Sequence, residues 1–202
     1  MKLFYAPGVC SLSPHIAFHE AGIPVELQKV DTKTKAMEGG GDYREINPKG
    51  YVPFVQLDDG SYLGEGPAIV QYIADLKPES KLAPANGTME RYHLQEWLGF
   101  LNSEIHKGFS PLFKPTTPDE YKVTVKEQLA GRFDYISTQL KGKQWLMGDT
   151  FTVADGYLFT LLGWTRWTGI DLTKWPVLND YSARVAARPA VQAALKAEGL
   201  LK

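Results

Sequence analysis

The only cysteine of the chain, Cys10, lies in Ala6-Pro7-Gly8-Val9-Cys10-Ser11-Leu12-Ser13, just after a short apolar run and just before a Ser-Pro pair that opens a helix. A thiol placed there faces the unpaired N–H groups of the helix's first turn. Those groups favour the thiolate, which is the form of cysteine that attacks disulfides and electrophiles. The local arrangement is Cys10-x-x-Ser13, with a hydroxyl where a dithiol motif has its second sulfur. No internal disulfide can close, so any redox partner is an external thiol. The competing reading of a lone cysteine is a small buried hydrophobe. Residue type alone leaves both open.

Three further clusters have types suited to binding or proton transfer. Val52-Pro53 precedes an apolar run, and an X-Pro bond in a tight turn that is cis turns the preceding backbone outward, where an extended peptide can pair with it. The plain alternative is a trans proline entering an edge strand. Glu65-Gly66-Pro67 starts a helix; the helix terminus favours a carboxylate, Gly66 lets a ligand approach the backbone, and Glu65 can pair with an ammonium group. Read blandly, it is a helix cap beside a solvated acid. Glu104-Ile105-His106-Lys107 places an imidazole near a helix end, suited to donating to a thiolate or shuttling a proton, or simply to pairing with the helix dipole. His15 and His19 are an i, i+4 pair without a third ligand, so they do not read as a metal site. Thr152-Val153-Ala154-Asp155 reads as a capping box, a structural device.

The elements that must position these residues fall into two textures. Residues 2–5 read as a strand, 13–21 as a helix between Ser13-Pro14 and Gly22, 25–30 as a half-buried strand, and 54–63 as a hairpin turning at Asp58-Asp59-Gly60. A helix follows over 67–76, with Ala68, Ile69, Tyr72 and Ile73 on one face. Downstream the apolar periods are long and helical, over 89–107, 118–140, 152–168, 175–187 and 189–197. The fold class is therefore a mixed α/β unit followed by an all-α bundle, divided as 1–79, a linker at 80–87 punctuated by Pro84 and Asn86-Gly87, and 88–202.

Composition agrees with a globular protein that works on small molecules. The 202 residues exceed one typical domain of about 150, and Lys plus Arg number 22 against 23 Asp plus Glu, with a sequence pI near 6.4. That balance supplies no positive field for nucleic acid, and no apolar run is long enough to span a membrane. A cytoplasmic location is expected. One cysteine excludes a multi-cysteine zinc site, and no metal is expected.

Taken together, Ala6-Pro7-Gly8-Val9-Cys10-Ser11, Asn47-Pro48-Lys49-Gly50-Tyr51-Val52-Pro53, Glu65-Gly66-Pro67-Ala68-Ile69, Glu104-Ile105-His106-Lys107-Gly108-Phe109 and Phe151-Thr152-Val153-Ala154-Asp155 resemble the cytosolic glutathione transferases over the whole chain. The Cys10 and His106 elements are similar to the bacterial beta class. The resemblance implies a thioredoxin-like N-terminal domain that binds glutathione and a helical C-terminal domain that binds the electrophile, in a homodimer. It implies that Cys10 faces the glutathione sulfur, that Tyr5 and Tyr51 lie near it, and that Val52, presented by a cis Pro53, pairs with the cysteinyl backbone. Glu65 and the Gly66 N–H would take the γ-glutamyl ammonium and carboxylate, and Lys35 the glycyl carboxylate. From the helical domain His106 would approach the thiol with Lys107 as a neighbour, and Trp164 would wall the electrophile pocket. One departure stands out: the resemblance implies an Asn, usual in relatives and reaching glutathione across the dimer, where this chain has Gly99. A weaker hold on glutathione is expected here.

Three activities fit these residues. The first is conjugation of the glutathione thiolate to small apolar electrophiles, with glutathione as co-substrate. The second is glutathione-dependent thiol–disulfide exchange, or reductive dehalogenation, through Cys10. The third is a ligand- or partner-binding role without catalysis, which would need none of Cys10, Glu65 and His106.

Overall fold

The computed structural model describes residues 1–201. By packing, the chain divides into two compact units: residues 1–83 with the segment from Arg188 onward, and residues 84–187. The division expected from sequence assigned the final helix to the helical domain; by packing, that helix groups with the first unit.

The first unit is built on a four-stranded sheet of order β2-β1-β3-β4, formed by β1 (Lys2–Tyr5), β2 (Glu26–Lys29), β3 (Phe54–Gln56) and β4 (Tyr62–Gly64). β1 runs parallel to β2 and antiparallel to β3, with Leu3 opposite Leu27 on one side and Val55 on the other. This central position explains why Leu3, Phe4 and Tyr5 are all buried rather than alternating. The β3–β4 hairpin turns at Gly60, whose φ of 85° suits a residue without a side chain. Two helices, α1 (Leu12–Glu20) and α2 (Gly66–Leu76), pack against each other. α1 is buried on nearly every side from Leu12 to Phe18, as a helix covered by neighbours must be. In α2 the buried stripe is Ile69, Val70, Ile73 and Ala74, whereas Ala68 is exposed and Tyr72 half-buried.

The second unit begins with α3 (Met89–Phe100), capped by the Thr88 side chain accepting from the Arg91 N–H. The helix does not run evenly to residue 107: Leu101–His106 forms a π-turn, followed by the short α4 (Lys107–Phe109). α5 (Asp119–Leu140) packs on this continuous rod, and at Gly108 a Cβ would come within 2.9 Å of the Leu129 side chain, so any larger residue would have to push Leu129 aside. The helix expected over 152–168 is two helices, α6 (Val153–Leu162) and α7 (Thr165–Thr168). It tightens at Gly163-Trp164, where the Trp164 N–H bonds three residues back, to Leu161 O at 3.1 Å. α6 starts at the expected capping box: the Asp155 carboxylate accepts from the Thr152 N–H and, on its other oxygen, from the Leu146 N–H and the Tyr181 hydroxyl. Burial pushes the Asp155 carboxyl up, and these hydrogen bonds oppose the shift. α8 (Pro176–Ala186) supplies Tyr181, and α9 (Pro189–Ala197) packs on α1 in the first unit.

Candidate active site

In the first unit two of the residues singled out above, Cys10 and Lys35, meet one backbone segment, residues 50–53. The Val52-Pro53 bond is cis. Cys10, half-buried in the turn between β1 and α1, donates its S–H to Val52 O at 3.1 Å. The Lys35 ammonium donates to Gly50 O at 2.9 Å and to Thr32 O at 2.6 Å. Glu65 is the N-cap residue of α2, but its side chain makes no capping bond; its carboxylate is exposed and pairs with the Lys49 ammonium at 3.2 Å. Lys35 and Glu65 are two of the three non-glycine residues with positive φ among the described residues, at 67° and 66°. Backbone held in that region costs about 1–3 kcal/mol per residue and concentrates where a side chain must be aimed. Gly66 begins α2, and a Cβ there would meet only Pro53 at 3.9 Å, so packing within the unit does not require glycine. Tyr51 is exposed. Tyr5 is buried, and burial, with the Glu198 and Glu38 carboxylates, pushes its phenol up; it stays protonated near neutrality.

A second set of residues supports this segment, and sequence reasoning passed over it. Tyr43 is fully buried against Phe4 and Val30, and its hydroxyl donates to Tyr51 O at 2.8 Å. Asn47 donates to the same oxygen at 2.8 Å. Burial pushes the Tyr43 phenol up to about 12. Asn47 lies in a quoted motif, but nothing local marks Tyr43. The Cys10 turn has its own clasp, since the Ser11 hydroxyl accepts from the Ala6 N–H and donates to Ala6 O, both at 3.1 Å. Behind it Glu198 accepts the Gly8 N–H at 2.8 Å and bonds the His15 ring at 2.9 Å. His15 thus has a structural partner, and its ring lies 5.0 Å from that of His19, whose pKa burial and then His15 lower. The Ser13 hydroxyl, second position of the Cys10 motif, is buried without a hydrogen-bond partner.

The second unit holds the other candidates. His106 ends the π-turn, half-buried, with Nδ1 2.7 Å from the Tyr157 hydroxyl. Its ring meets Trp164 edge to face at 4.9 Å, and Trp164 packs in turn against Phe109 and Phe113. Lys107 is exposed at the start of α4. Phe109, Phe113, Tyr157 and Asn102 were not expected from sequence, because their relation to His106 arises only when α6 packs beside the π-turn. Gly99 lies on the exposed side of α3 with open space around it. Among the described residues no group of His, Cys, Asp and Glu could hold a metal ion, and no helix is long and apolar enough to cross a membrane.

Comparison with known proteins bears on both units. Residues 9–76 match the family model of the glutathione S-transferase N-terminal domain, and residues 100–189 that of the C-terminal domain. Glutathione S-transferase GstA of Escherichia coli O157:H7 is 47% identical over 200 residues, covering 99% of this chain and 100% of that protein. A sphingomonad glutathione S-transferase solved in complex with glutathione is 48% identical with a TM-score of 0.95, over 99% of this chain and 100% of that one. The bacterial beta class glutathione S-transferase of Sphingomonas chungbukensis is 48% identical with a TM-score of 0.96, over the full length of both chains.

Proposed function

From the premise that the chain belongs to the bacterial beta class of the glutathione S-transferase family, we propose that its first unit holds glutathione along residues 50–53, with Cys10 at the sulfur and Glu65 at the γ-glutamyl ammonium. The protein is an enzyme that joins glutathione to electrophiles. The thiol loses its proton to a base, the thiolate sulfur bonds to an electrophilic carbon, and in a substitution the leaving group departs with its electron pair. The observation that carries the residue assignment is that Cys10 and Lys35 both bond the backbone of residues 50–52, at Val52 O and Gly50 O, with Glu65 paired beside them to Lys49.

Each role follows from group chemistry. Val52 supplies backbone N–H and C=O groups to an extended tripeptide. Lys35 spends two of its three ammonium protons on backbone oxygens and keeps one donor for the glycyl carboxylate. The Gly66 N–H at the start of α2 suits the γ-glutamyl carboxylate. Tyr5 and Tyr51 border the tripeptide, Tyr5 as a neutral phenol that does not ionise the thiol. In the helical unit His106 takes the thiol proton, Lys107 adds positive charge, and Trp164, backed by the buried Phe109 and beside Phe113, offers an apolar wall to the electrophile. The working form in this reading is a cytoplasmic homodimer.

The test is turnover of an aryl halide such as a chlorodinitrobenzene with glutathione, beside calorimetric glutathione binding and a mass measurement at micromolar concentration. Enzyme-dependent release of halide, saturable glutathione binding weakened by Glu65→Ala, and a particle twice the 22.5 kDa chain mass are expected. Glutathione binding that ignores Glu65→Ala removes that residue from the site, and a 22.5 kDa particle overturns the dimer.

A further inference from the structure

The Tyr157 hydroxyl lies 2.7 Å from His106 Nδ1 and 3.1 Å from Asn102 Oδ1. A phenol has one proton to donate, and an amide oxygen can only accept. The Tyr157 proton therefore goes to Asn102, and the Tyr157 oxygen must accept from His106. That requires the His106 proton to sit on Nδ1, and a neutral imidazole with its proton on Nδ1 carries its lone pair on Nε2. We infer that Tyr157 and Asn102 are positioning residues that hold His106 in the Nδ1–H tautomer, so that Nε2 accepts the glutathione thiol proton. This rests on the reading above that His106 serves as the base.

The fold makes the arrangement specific. The Lys107 N–H bonds five residues back, to Asn102 O, which closes the π-turn and keeps Asn102 and His106 on one face. Tyr157 reaches both from α6; it is 2% exposed, so water does not compete for its hydroxyl. Trp164 also meets the imidazole edge to face at 4.9 Å and limits rotation of the ring. In the reaction the S–H bond breaks and an N–H bond forms at Nε2. The resulting imidazolium keeps its Nδ1–H bond to Tyr157, and it returns the extra proton to solvent after the thiolate has reacted. A neutral His106 with its proton on Nε2 could donate to a thiolate but could not take the proton that creates one.

The experiment reads the tautomer and the turnover together. Imidazole 15N spectra, with the His106 signals assigned by their loss in His106→Ala, are recorded for wild type, Asn102→Leu, Asn102→Asp and Tyr157→Phe. Wild type is expected as the Nδ1–H tautomer. Asn102→Leu frees the Tyr157 proton to swing to Nδ1, so the tautomer should switch and kcat fall about tenfold, while KM for glutathione changes little. Asn102→Asp keeps an acceptor, so the tautomer and most of the turnover should return. Tyr157→Phe should release the tautomer without an amide change. Wild type carrying the proton on Nε2, or Asn102→Leu losing turnover with an unchanged tautomer, overturns the inference. If His106→Ala turns over at the wild-type rate while the spectra are as expected, the base assignment fails and the tautomer has no catalytic role; that failure is distinct from a wrong tautomer.

Discussion

Glu198 and Gly8 stand 190 residues apart in the chain, yet the Glu198 carboxylate accepts the Gly8 N–H at 2.8 Å. Its other oxygen bonds His15 at 2.9 Å, and both side chains are buried. The end of the chain thus braces the turn that carries Cys10. Glu198→Ala leaves a buried N–H and a buried imidazole without their acceptor and should cost about 3 kcal/mol of stability. Glu198→Gln keeps an acceptor and should cost less. Urea midpoints of the two variants test this, and a Glu198→Ala midpoint equal to wild type would refute it.

Glu65 and Lys49 form an exposed pair, so an incoming ammonium meets a carboxylate that already has a partner. Exposed pairs are worth about 0–1 kcal/mol. Lys49→Ala should therefore change glutathione affinity by about fivefold or less, whereas Glu65→Ala should cost about 1.5–3 kcal/mol of binding. Calorimetry separates the two; equal effects would mean that the charge of Glu65 is not what glutathione meets.

At Cys10 the two sulfur chemistries part. With oxidised glutathione, the Cys10 thiolate should displace one half: one S–S bond breaks, another forms on Cys10, and reduced glutathione leaves. Mass spectrometry should find one glutathione on wild type, removable by a reductant, and none on Cys10→Ala. Conjugation uses the sulfur of glutathione itself and should survive Cys10→Ala at least in part. If wild type gains no adduct and the variant conjugates unchanged, Cys10 is a packing residue.

Gly99 has room for a side chain. Because glycine inside a helix costs about 0.5–1 kcal/mol relative to alanine, Gly99→Ala should raise the melting temperature. Gly99→Asn adds the amide that the resemblance implies at this position and should bind glutathione more tightly than Gly99→Ala. Equal affinities of the two would remove that contact across the dimer.

Tyr43 gives an alkaline signature. Its folded pKa is about 12 against an ordinary value of 10, so its contribution is fully present below pH 10 and is lost as pH rises from 10 toward 12. The loss amounts to about 2–3 kcal/mol. Tyr5 and Tyr181 are raised as well and add to the slope in wild type. Urea midpoints at pH 9 and pH 11.5 should differ less in Tyr43→Phe than in wild type, and an unchanged difference would count against a neutral buried Tyr43.

Local sequence signals carry the order of elements, the turn with Cys10 and the capping box of Thr152 and Asp155, and the family resemblance adds the candidate ligands Lys35, Val52 and Glu65. These rest on signals a few residues long, such as period-two and helical alternation and Pro and Gly punctuation, or on motifs whose spacing is preserved in a resemblance. Even local reading slipped where two helix faces competed: α2 buries Val70 and Ala74, not Ala68 and Tyr72. Packing alone brings Cys10 to Val52, Tyr43 and Asn47 to Tyr51, Glu198 to Gly8, and Tyr157 between His106 and Asn102. It also decided the π-turn before His106, the break at Gly163 and the pairing of the final helix with α1. A buried hydrogen bond selects its partner by what packing brings within about 3 Å after water is excluded, and packing joins residues that no local sequence pattern links.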